Sequence, residues 1–146
     1  MGEPDVQDLF RRAMADNDAV SMREGLERML GVAGRGGLSP DAEYALRRAD
    51  FVLEMPQSGE RIRGRDAMRQ MQEAFPAPPL SVTVRRVVGA GRTWVLEGQL
   101  DYGEGPWNAV VILELDDDGL VARETRYYAQ SSEPPAWRSR WVEPLE

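Results

Sequence analysis

The stretch that decides the fold is Glu54-Met55-Pro56-Gln57-Ser58-Gly59-Glu60-Arg61-Ile62-Arg63-Gly64. The residues that lead into it, 51–55, alternate large apolar side chains with smaller or polar ones, which is typical of a strand. Pro56 stops strand pairing, and Ser58-Gly59 supplies the turn chemistry of a hairpin. Gly64 then opens a helix. The sequence therefore predicts helices before this stretch, a hairpin within it, and mainly strands after it.

Four segments carry apolar residues at three- and four-residue spacing, which is the pattern of a helix with one buried face. Asp5 and Asp18 stand where they can cap the first two helices. Ser39-Pro40 looks like a cap followed by a first-turn proline. The predicted helices are Val6–Met14, Met22–Leu30, Asp41–Arg47 and Arg65–Phe75.

The apolar period becomes two from Leu80 onward, and turn signals divide this half into four strands. Short turns between consecutive strands imply an antiparallel meander. Helices followed by such a meander predict an α+β fold in which a curved antiparallel sheet wraps around the N-terminal helices, as one domain over residues 1–146. This cone would leave a pocket for a small apolar molecule. The predicted strands are Leu80–Val88, Arg92–Asp101, Trp107–Leu115 and Leu120–Gln130.

The composition excludes several classes of site. The chain has no cysteine and no histidine, so thiolate chemistry, Ser-His-Asp machinery and imidazole-rich metal sites are excluded. We expect neither a metal nor a cofactor, and we interpret the acidic run 116–118 as a plain hairpin turn. The net charge of −7 argues against nucleic-acid binding. Without a signal sequence or a run of ~20 apolar residues, we expect a cytoplasmic protein with no membrane contact.

The order of these elements, together with residues 54–60 and the final strand 123–129, resembles the SnoaL-like branch of the nuclear transport factor 2-like superfamily. The resemblance covers most of the chain and implies the cone-shaped fold, also described as cystatin-like. The superfamily hosts ketosteroid isomerases, polyketide cyclases, epoxide hydrolases, dehydratases and binding modules, so the resemblance does not select one chemistry.

The resemblance to ketosteroid isomerases fails at the residues that do the chemistry. These relatives place a general-base aspartate directly before the hairpin proline, where this chain has Met55. Their oxyanion-binding acid falls on the strand 109–113, which is apolar here. A thioether cannot move a proton, so an isomerase of that type is disfavoured.

Two further enzyme types in the superfamily match poorly. By resemblance, the arginine and first aspartate of limonene-type epoxide hydrolases fall on Gln99 and Asp101, and their second aspartate falls on Arg126. Only Asp101 keeps the required residue type, so we reject that reaction. SnoaL-like cyclases place an aspartate near the end of the last strand, where residues 125–132 contain no carboxylate.

The polar residues that could line the cone come from two strands. Alternation puts Glu124, Arg126 and Tyr128 on one face of the last strand. The matching face of the second meander strand carries Glu97, Gln99 and Asp101. If both faces point inward, Glu124 or Glu97 would pair with Arg126, and this pair would orient Tyr128 as a donor.

The opposite face of that second strand, with Trp94, Leu96, Gly98 and Leu100, is the more apolar one. The pattern alone would turn it to the core and leave the carboxylates in water or in a dimer interface. Both orientations stay open at this point. Met55 and Gln57 are likewise either pocket wall and polar contact to the ligand, or core methionine and turn residue.

Three functions compete. The first is binding of a small apolar molecule that carries a carbonyl or hydroxyl group, with Met55, Gln57, Glu97, Gln99, Arg126 and Tyr128 as binding residues. The second is a carboxylate acid-base enzyme on an apolar carbonyl or polyketide-like substrate, with Asp101 or Glu124 as base and Tyr128 or Arg126 as oxyanion partner. The third is a non-catalytic dimerisation module.

The carboxy-terminal segment carries Trp137 and Trp141, four residues apart. It could dock on its own domain, cap the cone or clasp a partner subunit, and we expect the first of these. Aromatic residues near the end of the chain also favour some oligomer contact, so we expect a homodimer.

Overall fold

The structure, a computed structural model, describes residues 5–31, 37–75, 79 and 81–145. Within these residues the helices are α1 (Val6–Asp16), α2 (Ala19–Leu30), α3 (Pro40–Leu46) and α4 (Arg65–Ala74). The strands are β1 (Arg47–Met55), β2 (Glu60–Arg63), β3 (Ser81–Ala90), β4 (Thr93–Asp101), β5 (Pro106–Leu115) and β6 (Val121–Gln130). The predicted α+β class, helices and hairpin are confirmed. Leu80, the predicted start of the third strand, lies outside the described residues.

The six strands form one curved, unclosed sheet in the order β2-β1-β6-β5-β4-β3. Strands β3 to β6 make the predicted antiparallel meander. The hairpin β1–β2 joins this meander through β1, which pairs in parallel with β6 and places Leu53 opposite Glu124. The sequence analysis did not predict this parallel contact. It brings the hairpin next to the strand that carries most of the polar candidate residues.

The helix starts follow the local sequence signals. The Asp5 side chain accepts from the backbone N of Asp8, Asp18 accepts from Ser21 N, and Ser39 caps α3. In α2, a Cβ added to Gly25 would lie 2.8 Å from the Phe10 ring, so the glycine allows α1 and α2 to pack closely. None of the described helices is both long enough and apolar enough to cross a bilayer.

The main hydrophobic core lies between the helices and the concave face of the sheet. Trp94 is fully buried there, and its indole N–H donates to the carbonyl of Gly91 at 2.8 Å. Because side chains alternate along each strand, every second residue of β1, β4 and β5 reaches this layer. The fully buried members from these elements and from α1 include Phe10, Phe51, Leu53, Trp94 and Leu113.

The first strand begins earlier than predicted. Arg47 has extended backbone angles and belongs to β1, whereas the sequence analysis assigned it to the end of the third helix. Its side chain is buried and paired with carboxylates, so its role is structural rather than that of a solvated helix end. Burial of a paired guanidinium is a tertiary effect that local propensity does not reveal.

The carboxy-terminal segment does not dock on its own domain, which corrects our expectation. All of residues 131–145 are exposed, including Trp137 at 75% and Trp141 at 69% of their surface. The segment forms only a short 3₁₀ turn at 136–138, and its backbone hydrogen bonds are local. A turn this short presents no broad apolar face that could pack against the sheet.

Candidate functional site

The concave side of the sheet encloses an open cavity of about 710 Å³. Its wall is mainly apolar because the inward positions of the strands carry aliphatic residues, and α2 and α4 add methionines. Met55 belongs to this wall, as one of the two sequence interpretations predicted. The apolar wall includes Leu26, Met29, Leu53, Met55, Met71, Val82, Leu96, Leu100, Val111 and Leu113.

The polar end of the cavity is built by β6. Glu124, Arg126 and Tyr128 all line the cavity, as strand alternation predicted for one face of this strand. The Arg126 guanidinium donates from Nε and Nη2 to Oε2 of Glu124, at 2.9 and 2.5 Å. Glu124 is 1% exposed, so this ion pair is shielded from water on its carboxylate side.

A second arginine lies behind the pair. Arg47, also buried, donates from Nη2 to Oε1 of Glu43 at 2.9 Å, and the same nitrogen lies 3.9 Å from Oε1 of Glu124. Gln72 of α4 donates to Glu43 at 2.8 Å. Carboxylates and guanidiniums thus alternate from α3 to β6, and their formal charges cancel.

One oxygen of this network has no hydrogen bond. Oε1 of Glu124 is buried and accepts from no described residue, since 3.9 Å to Arg47 is too long for a hydrogen bond. Leaving a buried acceptor unpaired typically costs about 1–3 kcal/mol, and more when the group is charged. Nε of Arg47, in the same network, is likewise buried and has no hydrogen bond.

Charge keeps this carboxylate ionised. Burial alone would raise the pKa of Glu124, but the positive charges of Arg126 and Arg47 and the Arg126 hydrogen bond outweigh burial and hold the pKa below its ordinary value. Burial opposes the charged form of Arg126 as well, yet Glu124 and then Tyr128 stabilise it, so the pKa of Arg126 is raised. At the cavity edge, burial raises the pKa of Tyr102.

The hairpin contributes a backbone contact rather than a cavity side chain. Oε1 of Gln57 accepts a hydrogen bond from the backbone N of Tyr128, while Gln57 itself is exposed in the turn. Gln57 therefore ties the hairpin to β6 beside the polar end. Its predicted role as a ligand-binding side chain does not fit this position.

The carboxylates predicted on β4 lie outside the cavity. Glu97 pairs with Arg86 on the outer face of the sheet. Its Oε1 accepts a hydrogen bond from Nε of Arg86 at 3.1 Å. Asp101 accepts from the backbone N of Gly103 and stabilises the turn after β4. Gln99 borders the cavity, but its amide donates to Asn108 at 3.0 Å.

Glu97 and Asp101 lie outside the cavity because the opposite face of β4 is the buried one. Trp94, Leu96 and Gly98 are buried. Turning them outward to bury Glu97 and Asp101 would expose apolar area and desolvate unpaired charges.

Arg47, Glu43 and Gln72 are the members of the site that the sequence analysis missed. Glu43 and Arg47 stand four residues apart, and this spacing was the available signal for an ion pair. Nothing local indicated that the pair would meet β6. Among the described residues, no three carboxylates converge as a metal-binding group.

The sequence profile of the SnoaL-like domain matches residues 26–124, more than half of the chain and up to the cavity glutamate. The chain belongs to the SnoaL-like family. No curated protein matches this SnoaL-like chain.

Solved structures extend the relationship. This SnoaL-like chain is similar to an NTF-2 like protein of unknown function from Burkholderia xenovorans LB400, with 35% identity over 85% of this chain and 94% of that one, and a TM-score of 0.71. It is also similar to a protein from Kribbella flavida DSM 17836 that carries a provisional name as a ketosteroid isomerase. That likeness has 26% identity, covers 97% and 90% of the two chains, and has a TM-score of 0.65.

Proposed function

We propose that this SnoaL-like protein binds a small, largely apolar molecule with a hydroxyl or carbonyl group, in the cavity on the concave side of the sheet. The observation that carries the proposal is the open cavity of about 710 Å³, whose mainly apolar wall ends at the polar side chains of Glu124, Arg126 and Tyr128. The apolar body of the ligand would contact the methionines and leucines. Its polar group would meet Glu124, Arg126 and Tyr128.

The size of the cavity supports this function. Small-molecule sites commonly enclose about 300–1,000 Å³ and combine apolar walls with a few polar groups. The volume of about 710 Å³ lies within that range. A pure dimerisation module would be expected to fill this space with its own side chains, so the open cavity favours ligand binding.

The test uses three molecules with one carbon skeleton: 2-tetralol, 2-tetralone and tetralin. Isothermal titration calorimetry should show the alcohol binding at least ~10-fold more tightly than the hydrocarbon, because hydrogen bonds to charged groups contribute about 1.5–3 kcal/mol. Glu124→Gln should reduce this preference. Glu97→Gln, the same change on the outer face, should leave it unchanged. Absence of binding, or a hydrocarbon that binds as tightly as both the alcohol and the ketone, would refute the proposal.

A second candidate, an isomerase acting on an apolar ketone, is favoured by the likeness to the Kribbella flavida protein. Among the described residues that line the cavity, Glu43 and Glu124 carry the carboxylates, and arginines hold both. The lowered pKa of Glu124 makes it a weak base. An assay for conjugation of a β,γ-unsaturated steroid ketone, followed by ultraviolet absorbance, should show no conversion. Turnover that Glu124→Gln abolishes would establish the isomerase instead.

A further inference from the structure

We propose that the carboxy-terminal segment 131–145 is a lid that closes over the open end of the cavity in its own chain, with Trp137 and Trp141 against the side chains at the opening. The inference goes beyond the proposed function, because it concerns access to the cavity rather than the molecule held inside. It follows from where the segment leaves the sheet, and from the exposed groups on the segment and at the opening.

The cavity opens at the edge of the sheet where β4 ends and β5 begins. Leu53 and Leu113, deep in the lining, are buried, whereas Phe75 and Tyr102 line the same cavity and are exposed. The centroids of these two rings lie 5.8 Å apart, so the pair forms one aromatic rim. Exposed aromatic rings at the entrance of an apolar cavity form a surface that is stabilised when another apolar group covers it.

The lid begins beside this aromatic rim. Gln130, the last residue of β6, pairs with Trp107 of β5, and the turn 102–105 joins β5 to β4 at the same edge of the sheet. Neighbouring strands lie about 5 Å apart, so this turn is roughly 10 Å from the end of β6. The chain from Gln130 to Trp137 can span up to about 23 Å. The lid can therefore reach across the opening without any movement of the sheet.

The lid carries large apolar side chains that lie outside the core. Trp137, Trp141, Val142 and Leu145 are each at least half-exposed. One buried tryptophan removes roughly 150–250 Å² of surface from water, so the two tryptophans can cover the aromatic rim. Lid and rim belong to one chain, so their contact is intramolecular and is favoured by a high effective concentration over contact with a second copy.

The charges of the lid and the rim are opposite. Arg138 and Arg140 stand between the two tryptophans, whereas Asp101 and Glu104 flank the rim tyrosine. Within the part of the chain that the structure describes, none of these four groups forms an ion pair. Opposite charges around an apolar contact steer its formation more than they strengthen it. The arginines would thus guide the lid toward the acidic side of the opening.

The absence of cysteine from the chain allows a test that needs no ligand. Ser139→Cys with Pro106→Cys puts one thiol in the lid and one beside the rim turn, and leaves the tryptophans and the charges in place. A disulfide requires Cα atoms within about 7 Å, so its formation in oxidised glutathione reports the closed lid. We expect a disulfide within single chains, which keep a monomeric mass on a non-reducing gel. It should form at least ~10-fold faster than in Ser139→Cys with Val20→Cys, where the second thiol lies outside the cavity.

A further variant separates closure of the lid from mere proximity. Adding Trp137→Ser and Trp141→Ser to the Ser139–Pro106 cysteine pair should slow disulfide formation at least ~5-fold, because the aromatic contacts are lost. Val88→Ser, on an exposed apolar residue of β3, is the matched control and should leave the rate unchanged. Circular dichroism checks that each variant is folded. An unchanged rate in the tryptophan variant would overturn the inference, and so would disulfides that only join two chains.

A second measurement relates the lid to the proposed function. Release of N-phenyl-1-naphthylamine, a neutral apolar fluorophore, can be followed by stopped-flow fluorescence. Trp137→Ser with Trp141→Ser should speed release at least ~5-fold, because release would no longer wait for the lid to open. Equal release rates would overturn the lid and leave cavity binding intact. If neither this fluorophore nor the tetralin series bound, the proposed function would fail, and disulfide formation would still decide whether the lid closes.

Discussion

Glu124 and Arg126 stand two residues apart on one face of β6 and are joined by two hydrogen bonds to a single carboxylate oxygen. The geometry makes the pair asymmetric, because one oxygen accepts two hydrogen bonds and the other is buried without one. A symmetric, fork-to-fork arrangement would have satisfied both oxygens. Among the described residues, both hydrogen bonds to the Glu124 carboxylate therefore come from Arg126.

Arg126→Met should lower the free energy of unfolding by about 3 kcal/mol, because it leaves a buried carboxylate with only a distant cation. Urea denaturation followed by circular dichroism measures the loss. Arg86→Met is the matched control, since Arg86 forms an exposed pair with Glu97, and its cost should stay below about 1 kcal/mol. Equal losses in the two variants would contradict the structural role of the buried pair.

The contribution of Glu124 to stability should disappear in acid. Its pKa in the folded protein lies below the ordinary value of 4.5, so the folded state takes up this proton less readily than the unfolded state. The stabilisation is therefore complete above pH 4.5 and is lost as the pH falls through the lowered value.

The measurement is the difference in unfolding free energy between wild type and Glu124→Gln, from pH 8 to pH 3. We expect a constant difference above about pH 5.5 that shrinks in acid. Asp18 and Asp50 also have lowered pKa values, because of hydrogen bonds from Ser21 and Arg48. Both residues are present in the two proteins, so their contributions to the pH dependence cancel in the difference. If the difference in unfolding free energy between wild type and Glu124→Gln grew as the pH fell, the prediction would be wrong.

Gly98→Ala should both destabilise the sheet and reduce ligand binding. A Cβ at this position would lie 2.4 Å from the carbonyl oxygen of Thr83, so β3 would have to move, and Gly98 lines the cavity. Overpacking of this kind typically costs about 1–3 kcal/mol. Urea midpoints and calorimetric affinities report the two effects. Gln99→Ala, whose side chain is exposed, is the control for stability and should leave the urea midpoint nearly unchanged.

The predicted homodimer remains to be tested, and the outer sheet face is where we expect it. Tyr127 is 41% exposed there, and it lies opposite Val110 of β5 in the register. Light scattering should give a dimeric mass for the wild type and a lower mass for Tyr127→Glu. Val20→Glu, on an apolar residue of α2 that is 78% exposed, should stay dimeric. A monomeric wild type at high concentration would refute the expectation.

Local signals predicted most of the fold. The caps Asp5 and Asp18 and the turn at Ser58-Gly59 act through neighbouring backbone groups, so the sequence contains the whole interaction. The orientation of β4 also followed the local pattern, because burial of Trp94 and Leu96 outweighs any gain from burying carboxylates.

The site was only half predictable. Alternation along β6 places Glu124 and Arg126 on one face, so their pairing could be predicted from the sequence. The contact between Arg47 and Glu124 could not be predicted from the sequence, because it depends on the parallel pairing of β1 with β6. Pairing between distant segments is set by packing of the whole sheet, which no local pattern encodes.

The same parallel pairing also constrains the order of assembly. Strands β3 to β6 can form successive hairpins as the chain is made, but β1 cannot take its place until β6 exists. Contacts between such distant segments require closure of a long loop and therefore form late and slowly. We expect Glu124 to meet Arg126 as soon as β6 folds, and to meet Arg47 only when the amino-terminal half docks. The polar end of the cavity would then be the last part of the molecule to fold.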